Sequence, residues 1–414
     1  MKYKNINVNL FLFALSTLFF FGLCHGTNKN AHKNTKKILT KNKFPGNNNK
    51  KVLTLLNQTS EKIVDKKLPP SIGFFSADLK YDGKIVKFCE IGNGLYGVPL
   101  PAYTIIDGQK ELLYTPYWDL FWHFLAQFNL PILYVGNKAT NSATLLNKTF
   151  GGKLFTNISE LETFCEQNFV PTPNFKATKI TDHSAILAYA GSRCIEKIEN
   201  FKKKYPNILF VNNFDALYKR QKEKIHGFFN CPELQTLRPR WKAYQALWTP
   251  TLAAQIKKEL PCKLYVIKPS IGHSAVGVTL VEKEKLDDML KVLLKNQNYK
   301  QAHKKETPMF VVEEFVTSKT IMIDKKTYDP TLRAAFAIYC DDGKIISTFF
   351  SCFWKIPPYS LSDNVPLTKK HITASMIGCS KPGDPVGPQC MGELLDIFDA
   401  ILPTVYEKML LSRR

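Results

Sequence analysis

Residues 184–213 read SAILAYAGSRCIEKIENFKKKYPNILFVNN. Two short apolar runs, 184–191 and 207–213, flank a segment at 195–206 whose apolar residues recur at helical spacing. Runs of that length, alternating with helices, are expected to be strands of a parallel layer, because parallel neighbours need a long crossover between them. The buried run LPILYVG (130–136) and the short strand and helix segments from 150 onward extend the pattern, and YWDLFWHFLAQF (117–128) has helical spacing. The spacing therefore predicts an α/β (α+β) fold with a parallel α/β layer over 117–213.

The flanking segments obey other rules. SIGFFSADLKYDGKIVKFCEIGNGLYGVPL (71–100) is strand, Asp-Gly turn, strand and Gly-rich exit, which predicts a hairpin. From 214 to 260 the text reads as helical, interrupted at RPRW (238–241). KLYVIKP (263–269), GVTLVE (277–282) and MFVVEEFV (309–316) read as strands, and EKLDDMLKVLLKN (284–296) as an amphipathic helix. LRAAFAIYCDDGKIISTFFSCFWK (332–355) predicts a second hairpin around Asp341-Asp342-Gly343, and GELLDIFDAILPTVYEKML (392–410) a closing helix.

Composition narrows the function. The formal charge is +22, but residues 1–70 hold thirteen Lys against only Glu61 and Asp65, so much of the excess is N-terminal. The basic residues are 50 Lys and 7 Arg, and no stripe of Arg and aromatics occurs, which argues against a nucleic-acid partner. The ten Cys contain no CxxC pair and the eight His no HExxH, so neither a disulfide framework nor a structural zinc site is implied.

MKYKNINVNLFLFALSTLFFFGLCHG (1–26) has a basic start and an apolar run from Leu10 to Cys24, short for a span and suited to a signal-peptide core. Cleavage after Gly26 and secretion, or export to a periplasm, is the favoured expectation. An uncleaved anchor with a cytosolic catalytic part is the alternative, since Lys29 and the lysines after it would hold the downstream side in the cytoplasm. Contact with a membrane is expected only through this segment. Residues 27–70, rich in Lys, Asn and Thr, read as a flexible tether.

Chemistry is concentrated in VIKPSIGHSAVGV (266–278). Lys268 ends a strand, and Gly272 and Gly277 bracket a loop carrying Ser270, His273 and Ser274. Small residues let backbone N–H groups approach phosphate oxygens, and a Lys adds a point charge. The same text also fits a plain tight hairpin, and it lacks the GxxxxGK[ST] spacing of a P-loop. In FVVEEFV, a strand-end carboxylate of Glu313 or Glu314 beside Phe315 and Val316 can pair with an adenine amine, or it can be a charged strand end at the surface. Upstream, Lys222 and Lys224 stand at the start of a helix that follows NILFVNN.

Strand-Asn-Asn, helix with Lys, strand-Lys-Pro, small-residue loop, then Glu-Glu-Phe-Val, over about 210–355, resembles the ATP-grasp superfamily in that order. The resemblance implies that Lys224 (or Lys222) and Lys268 contact the nucleotide phosphates. It implies too that the Gly272–Gly277 flap covers those phosphates and that Glu313, Glu314, Phe315 and Val316 hold the adenine. The late Asp and Glu-x-Asn that bind magnesium in that family have no counterpart after residue 355. Asp78 and Glu90, on the paired strands of the first hairpin, are two carboxylates able to share a Mg²⁺ between phosphates, unless they are the solvated carboxylates of an ordinary Asp-Gly hairpin.

That displacement resembles the circularly permuted members, glutathionylspermidine synthase and eukaryotic glutathione synthetase. Their pattern opens the hairpin with Arg-Phe-Asp and closes it with Glu-Tyr-Asn. Here the text is Ser76-Ala77-Asp78 and Glu90-Ile91-Gly92, with Asn93 one position late as a third metal ligand. Downstream, Arg333 stands where an Arg neutralises the transferred phosphoryl group in the family, with a surface ion pair to Asp329 as its other reading. Lys355, and Lys80 on the face of Asp78, could serve the same purpose.

The expectation is an ATP-dependent ligase with ATP and Mg²⁺ as cofactors, joining a small carboxylic acid or peptide to an amine or thiol through an acyl phosphate. Its parts are 1–26 leader, 27–70 tether, 71–116 carboxylate hairpin of the ATP-grasp core, 117–213 parallel layer and 214–414 ATP-grasp domain. The alternatives are a nucleotide-binding module of the same fold without turnover, and a basic secreted interaction protein.

Overall fold

The computed structural model of the chain describes residues 59–64, 68–96, 102–106, 109–113, 117–137, 141–190, 195–272, 275–302, 306–372, 384–385 and 388–412, all within the unit Leu56–Arg414. The expected leader, most of the tether, and His273 and Ser274 of the loop lie outside the described residues. Among the described residues no helix is long and apolar enough to cross a membrane.

Alternating large apolar residues build the central sheet. Strands β1 (Thr59–Ile63), β2 (Ser71–Tyr81) and β3 (Val86–Asn93) come from the N-terminal part of that unit. In β2, Phe74 and Phe75 are consecutive and so point to opposite faces. Phe74 stacks on Phe121 of the helix Tyr117–Ala126 at 4.1 Å between centroids, while Phe75 meets Tyr406 of the C-terminal helix Pro388–Leu411 at 6.0 Å. Both faces are thereby covered. Strand β1 corrects the tether: residues 59–63 pair with the strand Lys344–Lys355, and Lys62 donates to Glu407 at 2.7 Å. Its Lys-rich text disguised an edge strand, where charge is tolerated.

The parallel layer holds β4 (Ile132–Val135), β5 (Lys153–Phe155), β6 (Ala185–Tyr189) and β7 (Ile208–Phe210) in the order β5-β4-β6-β7, all pairs parallel. A parallel bridge from Val211 to Ile72 joins it to β2. Asn212, just beyond, is fully buried with φ 55°; its Oδ1 accepts from Phe74 N–H and its Nδ2 donates to Phe74 C=O, each at 2.6 Å. The same amide group donates to Asn93 Oδ1 at 2.6 Å. Asn212→Ala is expected to lower the unfolding free energy by about 2–4 kcal/mol, because it orphans buried polar groups on two strands. Urea unfolding measures this, and a loss below about 1 kcal/mol would contradict the stapling role.

A third sheet contains β8 (Trp241–Gln245), β9 (Leu264–Pro269), β10 (Thr279–Glu282) and β11 (Met309–Glu314), antiparallel in the order β8-β11-β9-β10. Helices Leu252–Glu259 and Leu286–Leu293 pack Ile256, Leu286 and Leu290 on its inner face. Here the expectation of a helical 214–260 is corrected, since 241–245 is a strand. Its hydrogen-bond partners lie in 309–313, so no local pattern announces it. Strands β12 (Thr331–Asp341) and β13 (Lys344–Lys355) form the expected hairpin, with Asp342 and Gly343 at φ 43° and 75° in the two-residue turn. They complete the central sheet as β1-β13-β12-β2-β3. The chain is an α/β protein with a parallel layer.

Candidate functional site

A cleft is lined by residues of the first hairpin, the third sheet and the loop after β9. Antiparallel pairing puts Glu90 of β3, Asp78 of β2 and Arg333 of β12 on one rung. Asp78 receives Arg333 as a bidentate fork at 2.7 and 2.8 Å and Lys355 Nζ at 2.8 Å. Burial raises the Asp78 pKa, but the two cations outweigh it and hold the carboxyl well below its ordinary range. Arg333 therefore does not pair with Asp329, the alternative read from sequence. Asp78 lines the cleft; Arg333 and Lys355 are not among the lining residues and reach it through Asp78.

Glu90, half-buried on the same wall, accepts no hydrogen bond from the described residues. Asn93 is different. It is buried, its Oδ1 accepts from Asn212 and from Leu95 N–H, and it does not line the cleft. The expectation that Asn93 ligates metal is thus corrected, because its oxygen is committed to the fold. Among the described residues no group of three or more His, Cys, Asp or Glu is placed to hold a metal. Asp78 and Glu90 still suit Mg²⁺, which commonly takes one or two carboxylates and fills its shell with water and phosphate oxygens.

Opposite this rung, Lys268 at the end of β9 donates to Glu313 Oε2 at 2.7 Å and to Cys89 C=O at 3.1 Å. Glu313 Oε1 meets His226 Nε2 at 2.5 Å and Arg238 at 3.3 Å. Burial alone would raise the Glu313 pKa, yet Lys268, His226 and Arg238 together depress it below the carboxylate range. His226, buried and beside Arg238, is pushed down to about 3 and is neutral. Glu314 also lines the cleft, and its oxygens accept one donor each, from Arg240 N–H and Nε at 2.9 and 2.7 Å. Glu313, held by three donors, is not a surface strand end. Cys89, on the cleft wall, is pushed up to about 11 by burial and stays a thiol.

Lys222, not Lys224, lines the cleft. It is buried, and its Nζ donates to Gly272 C=O at 3.0 Å, while Lys224 is half-exposed and pairs with Glu306 at 3.2 Å. The correction follows from the helix Lys222–Gly227, on which positions two apart cannot share a face. Ser270 Oγ donates to Glu223, so its hydroxyl is engaged by the neighbouring helix. In the loop, Gly277 has φ 76° and lies so close to Pro269 that a Cβ would come within 3.1 Å of its ring. Tyr299 O–H donates to Gly277 C=O at 2.7 Å, anchoring the loop's exit. Ala275, Val276 and Val278 line the cleft beside Phe315 and Val316.

Lys80, expected to serve as a second phosphoryl-neutralising cation, lines the cleft, with its Nζ tied to Asp329 Oδ2 at 3.0 Å and Pro330 C=O at 2.9 Å. Asp329 also accepts from Ser318 N–H at 2.8 Å and faces His371 Nδ1 at 2.8 Å. His226, Arg238 and His371 were not singled out in the sequence. Each is a lone residue in unremarkable text, and only contacts distant along the chain give it a role.

No protein-family model matches the chain, and no curated protein matches it. Solved structures similar to it include a protein provisionally assigned as a gamma-glutamylcysteine synthetase from Methylobacillus flagellatus. It is 11% identical over 83% of this chain and 90% of that one, with a TM-score of 0.41. The D-cycloserine synthetase DcsG is 9% identical over 67% and 81%, with a TM-score of 0.34. D-alanyl-alanine synthetase A from Vibrio cholerae is 9% identical over 68% and 80%, with a TM-score of 0.29.

Proposed function

We propose that the chain is an ATP-dependent carboxylate–amine or carboxylate–thiol ligase of the ATP-grasp kind, in the circularly permuted arrangement. One observation carries this reading. A single cleft is lined by three lysines from separate elements, Lys80, Lys222 and Lys268, by the loop residues Ala275, Val276 and Val278, by the Phe315-Val316 strand exit and by two carboxylates on one rung. Lysines suit phosphates, and the apolar strand exit suits a base.

In the proposed reaction a substrate carboxylate oxygen takes the γ-phosphoryl group of ATP, giving an acyl phosphate and ADP. The amine or thiol then bonds to the acyl carbon and phosphate leaves. Asp78 and Glu90 would hold Mg²⁺, which shields the phosphate charges when bound. Lys222 and Lys268 grip the phosphates, while Arg333 and Lys355 orient Asp78. Positioning and electrostatics are sufficient for such a transfer. The leader at 1–26 would direct secretion or export to a periplasm; an uncleaved anchor would leave the catalytic part in an ATP-containing compartment.

A second reading is a nucleotide-binding module without turnover. The observation favouring it is that both Asp78 oxygens are occupied by cations and Asn93 is committed elsewhere. Thermal unfolding with MgATP, followed by ADP release across an amino-acid, peptide, polyamine and thiol panel, separates the two. The ligase should gain several degrees with MgATP, lose that gain in Lys268→Met and release ADP with one acid–acceptor pair. Stabilisation without ADP release would favour the module, and no stabilisation of the intact chain would overturn both.

A further inference from the structure

His371 and Asp329 form a dyad that the ligase reading does not use. Asp329 is 1% exposed and holds three donors: Ser318 N–H, Lys80 Nζ and His371 Nδ1. A carboxylate surrounded in this way is ionised and can only accept, so the proton between it and His371 belongs to Nδ1. Burial raises the Asp329 pKa, but His371, Lys80 and Ser318 hold it below the ordinary value. With Nδ1 turned to Asp329, Nε2 is the ring nitrogen left to accept a hydrogen bond.

That acceptor has no hydrogen-bond partner among the described residues, and His371 is part of the cleft wall. Its ring stands at 70° to Phe315, with centroids 4.8 Å apart. The dyad is anchored too, because Thr368, one turn before His371 in the helix Leu367–His371, accepts from Leu280 N–H of β10 through its Oγ1 at 3.0 Å. An acceptor held by Asp329 therefore lies on the cleft wall beside the Phe315-Val316 exit. Glu313 is committed to Lys268, His226 and Arg238, whereas His371 Nε2 stands beside Phe315 with an open lone pair among the described residues.

We propose that His371 is a nucleobase-selecting residue, its Nε2 accepting a hydrogen bond from the 6-amino group of adenine and rejecting a 6-oxo purine. This rests on the nucleotide-cleft reading above. A 6-amino group donates to Nε2, whereas a 6-oxo group sets acceptor against acceptor and leaves both unpaired.

The test is equilibrium binding of MgATP and of magnesium inosine triphosphate, which differs at position 6, to the full chain. The intact protein should prefer ATP by about tenfold to a hundredfold. His371→Phe keeps a ring against Phe315 but removes the lone pair, and should bring the preference to about unity mainly by weakening ATP. A loss of equal size for both nucleotides, or a preference unchanged in the variant, would overturn the inference and leave the cleft reading standing. Absence of binding by either nucleotide to the intact protein would overturn both. The thermal midpoint of His371→Phe, measured alongside, should stay within a few degrees of the intact chain, so a changed ratio is not a folding defect. His371→Gln, whose amide oxygen can accept, should restore part of the preference for ATP, and no restoration at all would count against the acceptor role.

Discussion

Glu313→Gln should lower the unfolding free energy at neutral pH by about 3–5 kcal/mol, among the largest effects expected of any single substitution here. The carboxylate is 1% exposed and is the counter-charge for Lys268 and Arg238, so glutamine leaves two buried cations without it. Its pKa is depressed below the ordinary 4.5, so the stability it supplies is complete above pH 4.5 and is lost as pH falls through the folded value. The gap between the intact protein and the variant should therefore narrow below pH 4.5. A second acid-side loss comes from His226. It is neutral in the fold with a pKa of about 3 against an ordinary 6.5, so unfolding takes up a proton between these values. Stability of both proteins should decline as pH falls from 6.5 toward 3. Denaturant unfolding at pH 7 and pH 4 reads both effects, and parallel curves less than 1 kcal/mol apart would contradict the network.

The second large effect follows from the proposed ligase reaction. On that reading, Asp78→Asn should reduce ADP formation by about 10²–10³-fold while changing MgATP affinity less than tenfold. Asp78 joins three strands through Arg333 and Lys355 and carries their charge to the cleft wall. Asparagine keeps the shape but cannot balance two cations or offer a charged oxygen to Mg²⁺. Single-turnover ADP release against a titration of MgATP separates the two quantities. Full turnover in the variant would remove Asp78 from the site, and a loss of affinity alone would give it a binding role only.

The Asp-Gly and Asp-Asp-Gly hairpins, the apolar runs of the parallel layer and the Lys-Pro strand with its small-residue loop were all legible, because each depends on residues within a few positions. The edge strands were not. Thr59–Ile63 is paired with 344–348 and Trp241–Gln245 with 309–313, so their hydrogen bonds come from distant text. The cleft shows the same division. That Lys268, Asp78 and Glu90 stand at strand ends or on paired strands could be read from turn chemistry and alternation. Whether a nearby charge faces the cleft or the core could not.

Helical geometry chose Lys222 over Lys224, yet it took the contact with Gly272, fifty positions away, to say which of the two lines the cleft. Glu313 was legible as a carboxylate after an apolar strand, but its ownership by His226 and Arg238, 87 and 75 positions away, was not. Arg333 finds Asp78 across 255 positions rather than its near neighbour Asp329, because antiparallel register makes them cross-strand partners. Local text settled the elements and supplied the charged groups. Long-range pairing settled which charges neutralise one another, since the cost of burying a charge is met only by the partner that the folded chain brings within hydrogen-bonding distance.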